Sequence, residues 1–276
     1  TTGCDKTTPA CLMAAATTDL PAIVLSGGPM LDGHYKGDLI GSGTVIWHAR
    51  NLLASGEIDY EGFMEMTTSA SPSVGHCNTM GTALSMNALA EALGMSLPTC
   101  ASIPAPYRER GQMAYITGKR ICEMVLEDLR PSKIMTKQSF ENAIAVASAL
   151  GASSNCPPHL IAIARHMGIE LTLDDWQRVG EDVRLHVNCM PAGKYLGEGF
   201  HRAGGVPAVM YELQKAGVLH ENCASVSGKT MGEIAKQSQT SNSDVIYSYE
   251  EPLKHGAGFI VLSGNFFDSA IVICRF

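Results

Sequence analysis

Apolar and polar positions along the chain alternate between helical stretches and short apolar runs. Ala10–Thr18 reads as a short Ala-rich helix, with Thr8 as its cap and Pro9 suited to the first helical position. Pro21-Ala22-Ile23-Val24-Leu25 reads as a buried strand broken by Ser26-Gly27-Gly28-Pro29, and Asp32–Ser42 as a Gly-rich polar loop. Helices are expected over Thr44–Leu53, Tyr60–Met66 and Thr79–Leu93; in the last, Gly81, Ala83, Ala88 and Ala90 allow close packing. Glu109–Leu129 is a long amphipathic pattern stopped by Pro131, and Gln138–Leu150 is another, closed by Gly151. Pro157–Met167 carries Pro157 and Pro158 in its first turn, Leu173–Val179 is a short helix, and Val206–Ala216 ends at Gly217. Leu185-His186-Val187-Asn188 reads as a strand, and Gly258–Leu262 and Ser269–Ile273 as two β-rich runs.

This order predicts an α/β fold, a layered α/β/α domain over residues 1–250. Residues 251–276 then read as the first strands of a C-terminal, barrel-like β domain. The chain starts without Met at a candidate site loop and stops inside a strand pattern, so it reads as a piece of a longer protein lacking both flanks.

Composition narrows the function classes. The 276 residues are 45% hydrophobic and 17% charged, ample for a large core. A net charge of −7 without a basic run argues against nucleic acid as a partner. No apolar stretch approaches the roughly 18 residues of a membrane span, and Thr1-Thr2-Gly3-Cys4 has no leader pattern. Nine cysteines without Cys-x-x-Cys spacing argue against a disulfide scaffold and for a reducing cytoplasm. Cys11, Cys122 and Cys274 are expected to be small buried hydrophobes, and the Met-rich positions Met64, Met66, Met80, Met86 and Met95 to be core filler, not a functional box.

The candidate chemistry sits at two helix mouths. Cys4-Asp5-Lys6 offers a soft ligand, a hard ligand and an amine where a helix dipole favours anions and lowers a thiol pKa. A turn with a chance cysteine is the simpler alternative. Gly75-His76-Cys77-Asn78 puts a second cysteine before an apolar helix. His76 is either a donor to sulfur or a packed histidine, while His34 and His159 have no spacing that demands a metal. Ser26, Gly27 and Gly28 either approach an anionic ligand through backbone N–H groups or form a tight turn. Tyr107-Arg108-Glu109-Arg110 is either an anion site or a charged helix start. Lys194, in Gly193-Lys194-Tyr195, either meets a substrate carboxylate or lies on a surface turn.

Several segments together resemble the dihydroxy-acid, phosphogluconate and sugar-acid dehydratase family. They are Cys4-Asp5-Lys6-Thr7-Thr8-Pro9, Ser26-Gly27-Gly28-Pro29-Met30, Gly75-His76-Cys77-Asn78-Thr79-Met80, Ile103-Pro104-Ala105-Pro106 and Pro191-Ala192-Gly193-Lys194-Tyr195-Leu196-Gly197. The likeness is collinear over essentially the whole chain. Gly75–Met80, Ala14–Pro21 and Phe200–Gly205 look most like the pentonate branch. Branched-chain dehydratases usually carry a Ser-Cys-Ser-Gly-Met-like sequence at the second cysteine. Gly151-Ala152-Ser153-Ser154-Asn155-Cys156 departs from the more usual Gly-Gly-Ser-Thr-Asn.

The resemblance implies a hydro-lyase that converts a sugar acid, an aldonate of the pentonate type, to a 2-keto-3-deoxy acid. It implies a 2Fe–2S cluster held by Cys4, Cys77 and a third cysteine upstream, with one iron open to the leaving hydroxyl. It implies Mg2+ held by Asp5 and by Lys6 as a carbamate, since magnesium prefers oxygen donors. Ser26, Gly27, Gly28 and Lys194 are the candidates for contact with substrate. A further acidic ligand upstream, and a carboxylate and a serine base in the C-terminal half, would lie outside this chain. Residues 1–276 alone are therefore expected to be inactive, and a homo-oligomer, dimer or tetramer, is expected. The alternatives are a branched-chain dihydroxy-acid dehydratase, a phosphogluconate dehydratase, an inactive fragment, or a zinc module using Cys4, Cys77 and a histidine.

Overall fold

The computed structural model describes residues 1–255 and 259–273. The expected strand start at Gly258 and the buried role of Cys274 lie outside these residues. The elements run α1 (Thr7–Thr18), β1 (Gly33–Tyr35), β2 (Asp38–Ile40), α2 (Val45–Ser55), α3 (Tyr60–Ser69), α4 (Thr82–Ala92), α5 (Arg108–Glu127), α6 (Pro131–Ile134), α7 (Lys137–Leu150), α8 (Cys156–His166), α9 (Leu173–Gly180), α10 (Gly197–Arg202), α11 (Gly205–Lys215), α12 (Met231–Lys236), β3 (Phe259–Leu262) and β4 (Ala270–Ile273). The result is a helix-rich, layered α/β domain. Among the described residues the strands form only two antiparallel hairpins, β1–β2 and β3–β4, and no closed barrel.

Two helices form the centre. Every residue of α4 from Ala83 to Ala92 is buried, and so is every residue of α7 from Ser139 to Leu150. A helix buried on all sides must be apolar or have its polar groups bonded. The pattern over Gln138–Leu150 predicted one wet face, but neighbours cover it. Asn142 instead exchanges hydrogen bonds with the backbone of His220, at 3.0 and 2.8 Å. Small side chains at Ala83, Ala88, Ala90, Ala143, Ala145, Ala147 and Ala149 let α1, α8, α9 and α11 approach these two helices. Leu84, Leu89, Leu93 and Phe140 are fully buried, each contributing on the order of 1.5–3 kcal/mol of burial.

Several local signals work as read. Gly151 caps α7 at φ 59°, Pro157 lies in the first turn of α8, and α5 ends at Glu127 ahead of Pro131, which itself opens the short α6 that the sequence reading did not include. Others are corrected. The first helix begins at Thr7, so Pro9 falls within the first turn, where N–H groups lack intrahelical partners, and Thr8 is not the cap. Pro21–Leu25 and Leu185–Asn188 join no sheet and make isolated contacts instead of ladders. Val24 donates to Met95 O at 2.8 Å, and Leu185 and Val187 form isolated bridges with Lys254 and Ile246. Asp32–Ser42 contains the β1–β2 hairpin, which packs with α2 and α3 around the small cluster of Val45, Ala49, Met66 and Ala70. Cys11 and Cys122 are exposed, whereas Cys100, Cys156, Cys189 and Cys223 are buried. At the far end, β3 rests on α9: Phe259 meets Trp176 edge-on at 5.0 Å, and Val261 N–H donates to Gln177 Oε1 at 2.9 Å.

Candidate functional site

Three segments distant in sequence lie against one another at one end of the helical core. Thr2 and Ser26 form a parallel bridge, and so do Pro29 and His76. Gly27 N–H donates to Thr2 O at 2.6 Å, His76 N–H to Gly28 O at 3.0 Å and Met30 N–H to His76 O at 2.9 Å. The loop of Cys4, Asp5 and Lys6 and the loop of Cys77 are thereby joined through Ser26–Met30.

Asn87, 1% exposed on α4, ties the stack to the core. Its Nδ2 donates to Gly3 O at 3.0 Å and Ala83 O at 2.8 Å and approaches His76 Nε2 at 3.3 Å. Its Oδ1 accepts from the Thr8 hydroxyl at 3.1 Å. His76 Nδ1 lies 2.9 Å from Cys77 O, so the tautomer that satisfies both contacts carries its proton on Nδ1. Burial pushes His76 down to about 4, so the ring is neutral. His76 is thus a packed histidine that positions Cys77 through backbone. Asn87 was missed from the sequence, although an Asn within an otherwise apolar helix was the available signal.

Helix direction adds an electrostatic feature. Thr17 Oγ1 and His166 Nδ1 are 2.7 Å apart, joining the C-terminal ends of α1 and α8. Asn155, just before α8, donates to Thr82 Oγ1 on the first turn of α4 at 2.8 Å, and Ser153 Oγ lies 2.7 Å from the same hydroxyl. The N-termini of α1, α4 and α8 therefore gather at one end, each carrying roughly half a positive charge that favours anionic ligands. The Gly151–Cys156 segment, unusual in sequence, forms part of this end.

Cys4 and Cys77 are both exposed. Thr7 Oγ1 accepts from Cys4 N–H at 3.1 Å and closes the turn before α1. Cys4 Sγ donates to Asp5 Oδ1 at 3.5 Å, and Lys6 Nζ pairs with Asp5 Oδ2 at 3.0 Å. The hydrogen bond from Lys6 holds Asp5 below the usual carboxylate range. Among the described residues, no three His, Cys, Asp or Glu side chains gather as a metal-holding group, so this chain by itself assembles neither the zinc alternative nor the expected cluster and Mg2+ ligand set.

The other candidates fall into two groups. Ser26 is 1% exposed, and its hydroxyl accepts from Gly28 N–H at 3.2 Å. The N–H groups of Gly27 and Gly28, expected to meet an anionic ligand, are thus engaged within the loop stack. Gly28 is needed for its conformation, φ 88°, and because a Cβ there would lie 2.8 Å from Ala105 N. Arg110, 9% exposed, donates to Ser26 O at 2.7 Å, Cys100 O at 2.9 Å and Ile103 O. It pins this loop and is not presented to a substrate. Lys194 is exposed on the turn that follows the cis Met190–Pro191 bond. That turn is bonded to the Cys77 loop, with Met80 N–H donating to Met190 O and Gly197 N–H to Asn78 O, both at 2.7 Å.

The family model described as dihydroxy-acid/6-phosphogluconate dehydratase, N-terminal, matches residues 1–234. The chain belongs to this dehydratase family. It is 60% identical over 272 residues to the D-xylonate dehydratase of Caulobacter vibrioides, covering 99% of this chain and 46% of that protein. It is 49% identical to the L-arabinonate dehydratase of Rhizobium leguminosarum, covering 95% of this chain and 45% of that protein. It is 44% identical to the dihydroxy-acid dehydratase of Caldanaerobacter subterraneus, covering 95% and 47%. The chain therefore spans about half the length of the curated relatives it matches. No helix among the described residues is long and apolar enough to cross a membrane.

Proposed function

We propose that the protein carrying this dehydratase-family chain is a hydro-lyase that removes water from a sugar acid, a pentonate in the first instance, to give a 2-keto-3-deoxy acid. The observation that carries this reading is the joining of the Cys4-Asp5-Lys6 and Cys77 loops beneath three helix N-termini. The exposed Cys4 thiol beside the Asp5 carboxylate and Lys6 amine, and the exposed Cys77 thiol on the loop joined to it through Ser26–Met30, are of the residue types that suit a 2Fe–2S cluster and Mg2+. Cys4 and Cys77 would hold the cluster. Asp5 and Lys6, the latter as a carbamate, would hold magnesium. The chemistry these groups supply when bound is Lewis acidity toward the substrate carboxylate, the 2-hydroxyl and the leaving 3-hydroxyl.

The chain's own residues shape the site. His76 and Asn87 fix the Cys77 backbone against Gly3. Ser26, Gly27 and Gly28 frame the Cys4 loop, and Lys194 is the candidate cation for the substrate carboxylate. The third cluster thiolate, the remaining metal carboxylates and the serine that takes the C2 proton belong, in this reading, to the remainder of the protein. Residues 1–250 would be the cluster- and metal-binding domain and 251–276 the start of a C-terminal β domain. A homo-oligomer in a reducing cytoplasm completes the proposal; the exposed Tyr115, Ile116 and Leu126 on α5 and the open thiols support it.

Similarity to dihydroxy-acid dehydratases favours a second substrate class, branched-chain 2,3-dihydroxy acids. The deciding experiment compares kcat/KM of the whole gene product on xylonate, arabinonate and 2,3-dihydroxyisovalerate. A pentonate preference of about a hundredfold or more is expected, equivalent to ~3 kcal/mol of transition-state discrimination. A preference for the branched-chain acid would overturn the assignment.

A further inference from the structure

A cleft of about 590 Å3 opens at the far end of α4 from the Cys77 loop. Leu97 and Pro98, on one wall, follow the C-terminus of α4. Val226 N–H donates to Gly94 O at 2.8 Å and brings a second wall, within residues 227–238, against them. The middle of α5 forms the third. The Cys77 loop enters α4 at its other end, and the 11 residues of α4 span roughly 16 Å. The cleft shares no lining residue with the Cys4, Ser26 and Cys77 loops.

The chemistry of the walls is divided. Leu97, Ile116 and Ile234 are apolar, and Tyr115 adds an aromatic ring. Arg120 is fully engaged: its Nε donates to Val226 O at 2.6 Å, its Nη1 pairs with Glu123 at 2.9 Å and its Nη2 with Glu127 at 2.6 Å. Glu123, the one carboxylate lining the cleft, is engaged with it. Lys119 and Lys229 are different. Among the described residues neither pairs with a carboxylate; Lys119 Nζ stands 6.0 Å from the centre of the Tyr115 ring. The turn that carries Lys229 is fixed, because Ser225 Oγ donates to Lys229 O at 2.8 Å and Lys229 N–H donates to Ser227 Oγ at 3.3 Å. A helix and a rigid turn, distant in sequence, thus bring two uncompensated ammonium groups to one apolar-walled cleft, in a chain of net charge −7.

Such a cleft selects a ligand of opposite sign with an apolar or planar body. Lysine binds phosphate as a point charge, and a phosphomonoester carries about −1.5 to −2 at pH 7, a match for two lysines. We propose that this cleft binds a small aromatic organic phosphate, its phosphate held by Lys119 and Lys229 and its ring set against Tyr115 and Ile116. The Gln237 amide, without a partner among the described residues, is a further donor.

The test is binding, read without turnover. The whole gene product is titrated by calorimetry at low salt with AMP, phenyl phosphate, adenosine and inorganic phosphate. AMP and phenyl phosphate should each saturate one site per chain with Kd below about 1 mM. Adenosine and inorganic phosphate should bind at least about tenfold more weakly than AMP, since each supplies only half of the contacts. Lys119→Gln and Lys229→Gln should each weaken AMP by at least about fourfold. Tyr115→Ala should weaken AMP and leave inorganic phosphate unchanged. All three side chains are exposed, so the fold survives these changes. Lys194→Gln, on the turn bonded to the Cys77 loop, should leave AMP binding as in the parent. Failure of both AMP and phenyl phosphate to saturate by about 10 mM would overturn the inference. So would AMP binding that both lysine variants retain in full, which places the anion elsewhere. Equal affinity for AMP and inorganic phosphate would mark two solvated lysines and nothing more, and would overturn it as well. If Tyr115→Ala dissociates an oligomer and the parent binds neither aromatic phosphate, the cleft belongs to a second copy of the chain and the inference falls. None of these readouts passes through the cluster, the magnesium or the dehydration, so failure here leaves the proposed function standing.

Discussion

Replacing Arg110 with Met tests how the loop stack is held. The substitution keeps an unbranched apolar stem and deletes the guanidinium. Three carbonyls, those of Ser26, Cys100 and Ile103, then lose a charged donor in a position only 9% exposed. At ~1–3 kcal/mol for each buried acceptor the gross loss is several kcal/mol. Relief of guanidinium desolvation offsets part of it, leaving a net destabilisation of about 3–5 kcal/mol. The effect depends on pH through Glu91, which is 2% exposed and accepts from Thr99 N–H at 2.6 Å and Ala101 N–H at 2.9 Å. Burial raises Glu91 to about 7 from 4.5, and the Arg110 charge partly opposes this rise. A raised carboxyl contributes stability that is fully present below its unfolded value and lost as pH rises through its folded value. Without Arg110 the folded value rises further, so ionising Glu91 costs more. The destabilisation should therefore be larger at about pH 8 than at about pH 5, and Glu91→Gln should remove this pH dependence. Urea unfolding followed by the fluorescence of Trp176, 1% exposed, measures it, because the other tryptophan, Trp47, is already 68% exposed. A loss below ~1 kcal/mol at both pH values, or a larger loss in acid, would refute the reasoning.

Gly28→Ala combines a left-handed backbone, ~1–2 kcal/mol, with a Cβ 2.8 Å from Ala105 N, ~1–3 kcal/mol more. Unfolding free energies should show a loss of about 3 kcal/mol, and a smaller one for Gly27→Ala, whose Cβ would lie 3.3 Å from Thr2 O. Asp32 is raised to about 6 by burial and then by Glu198, so the stability tied to its neutral form is present below 3.8 and lost as pH rises through about 6. Asp32→Asn should therefore raise Tm relative to the parent above that range and lose this advantage in acid; the reverse order in a pH series would count against it.

Much of the architecture was legible because its causes are local. Gly151 can turn left-handed after Leu150, Pro157 suits the first turn of α8, Pro131 lies just beyond the end of α5, and the capping signals act within a few residues. Cys4-Asp5-Lys6 and Cys77 stand out as candidates by residue type alone, wherever the chain places them. Pairing partners are different, because they are chosen between residues far apart. Pro21–Leu25 has a strand-like composition, yet Val24 bonds to Met95 and Thr2 to Leu25, one contact at a time. The exposed faces of Cys11 and Cys122 depend on which side of α1 and α5 is covered, and composition does not say which side that is. Asn87 joins Gly3 to His76, and Thr17 joins α1 to α8, across 84 and 149 positions of chain for the Gly3 and His166 bonds. By itself the sequence determined which groups are candidates for chemistry and which stretches coil into helices. Tertiary packing alone decided that three helix N-termini and two thiol loops share one end, since that convergence rests on burial and hydrogen bonds between distant segments.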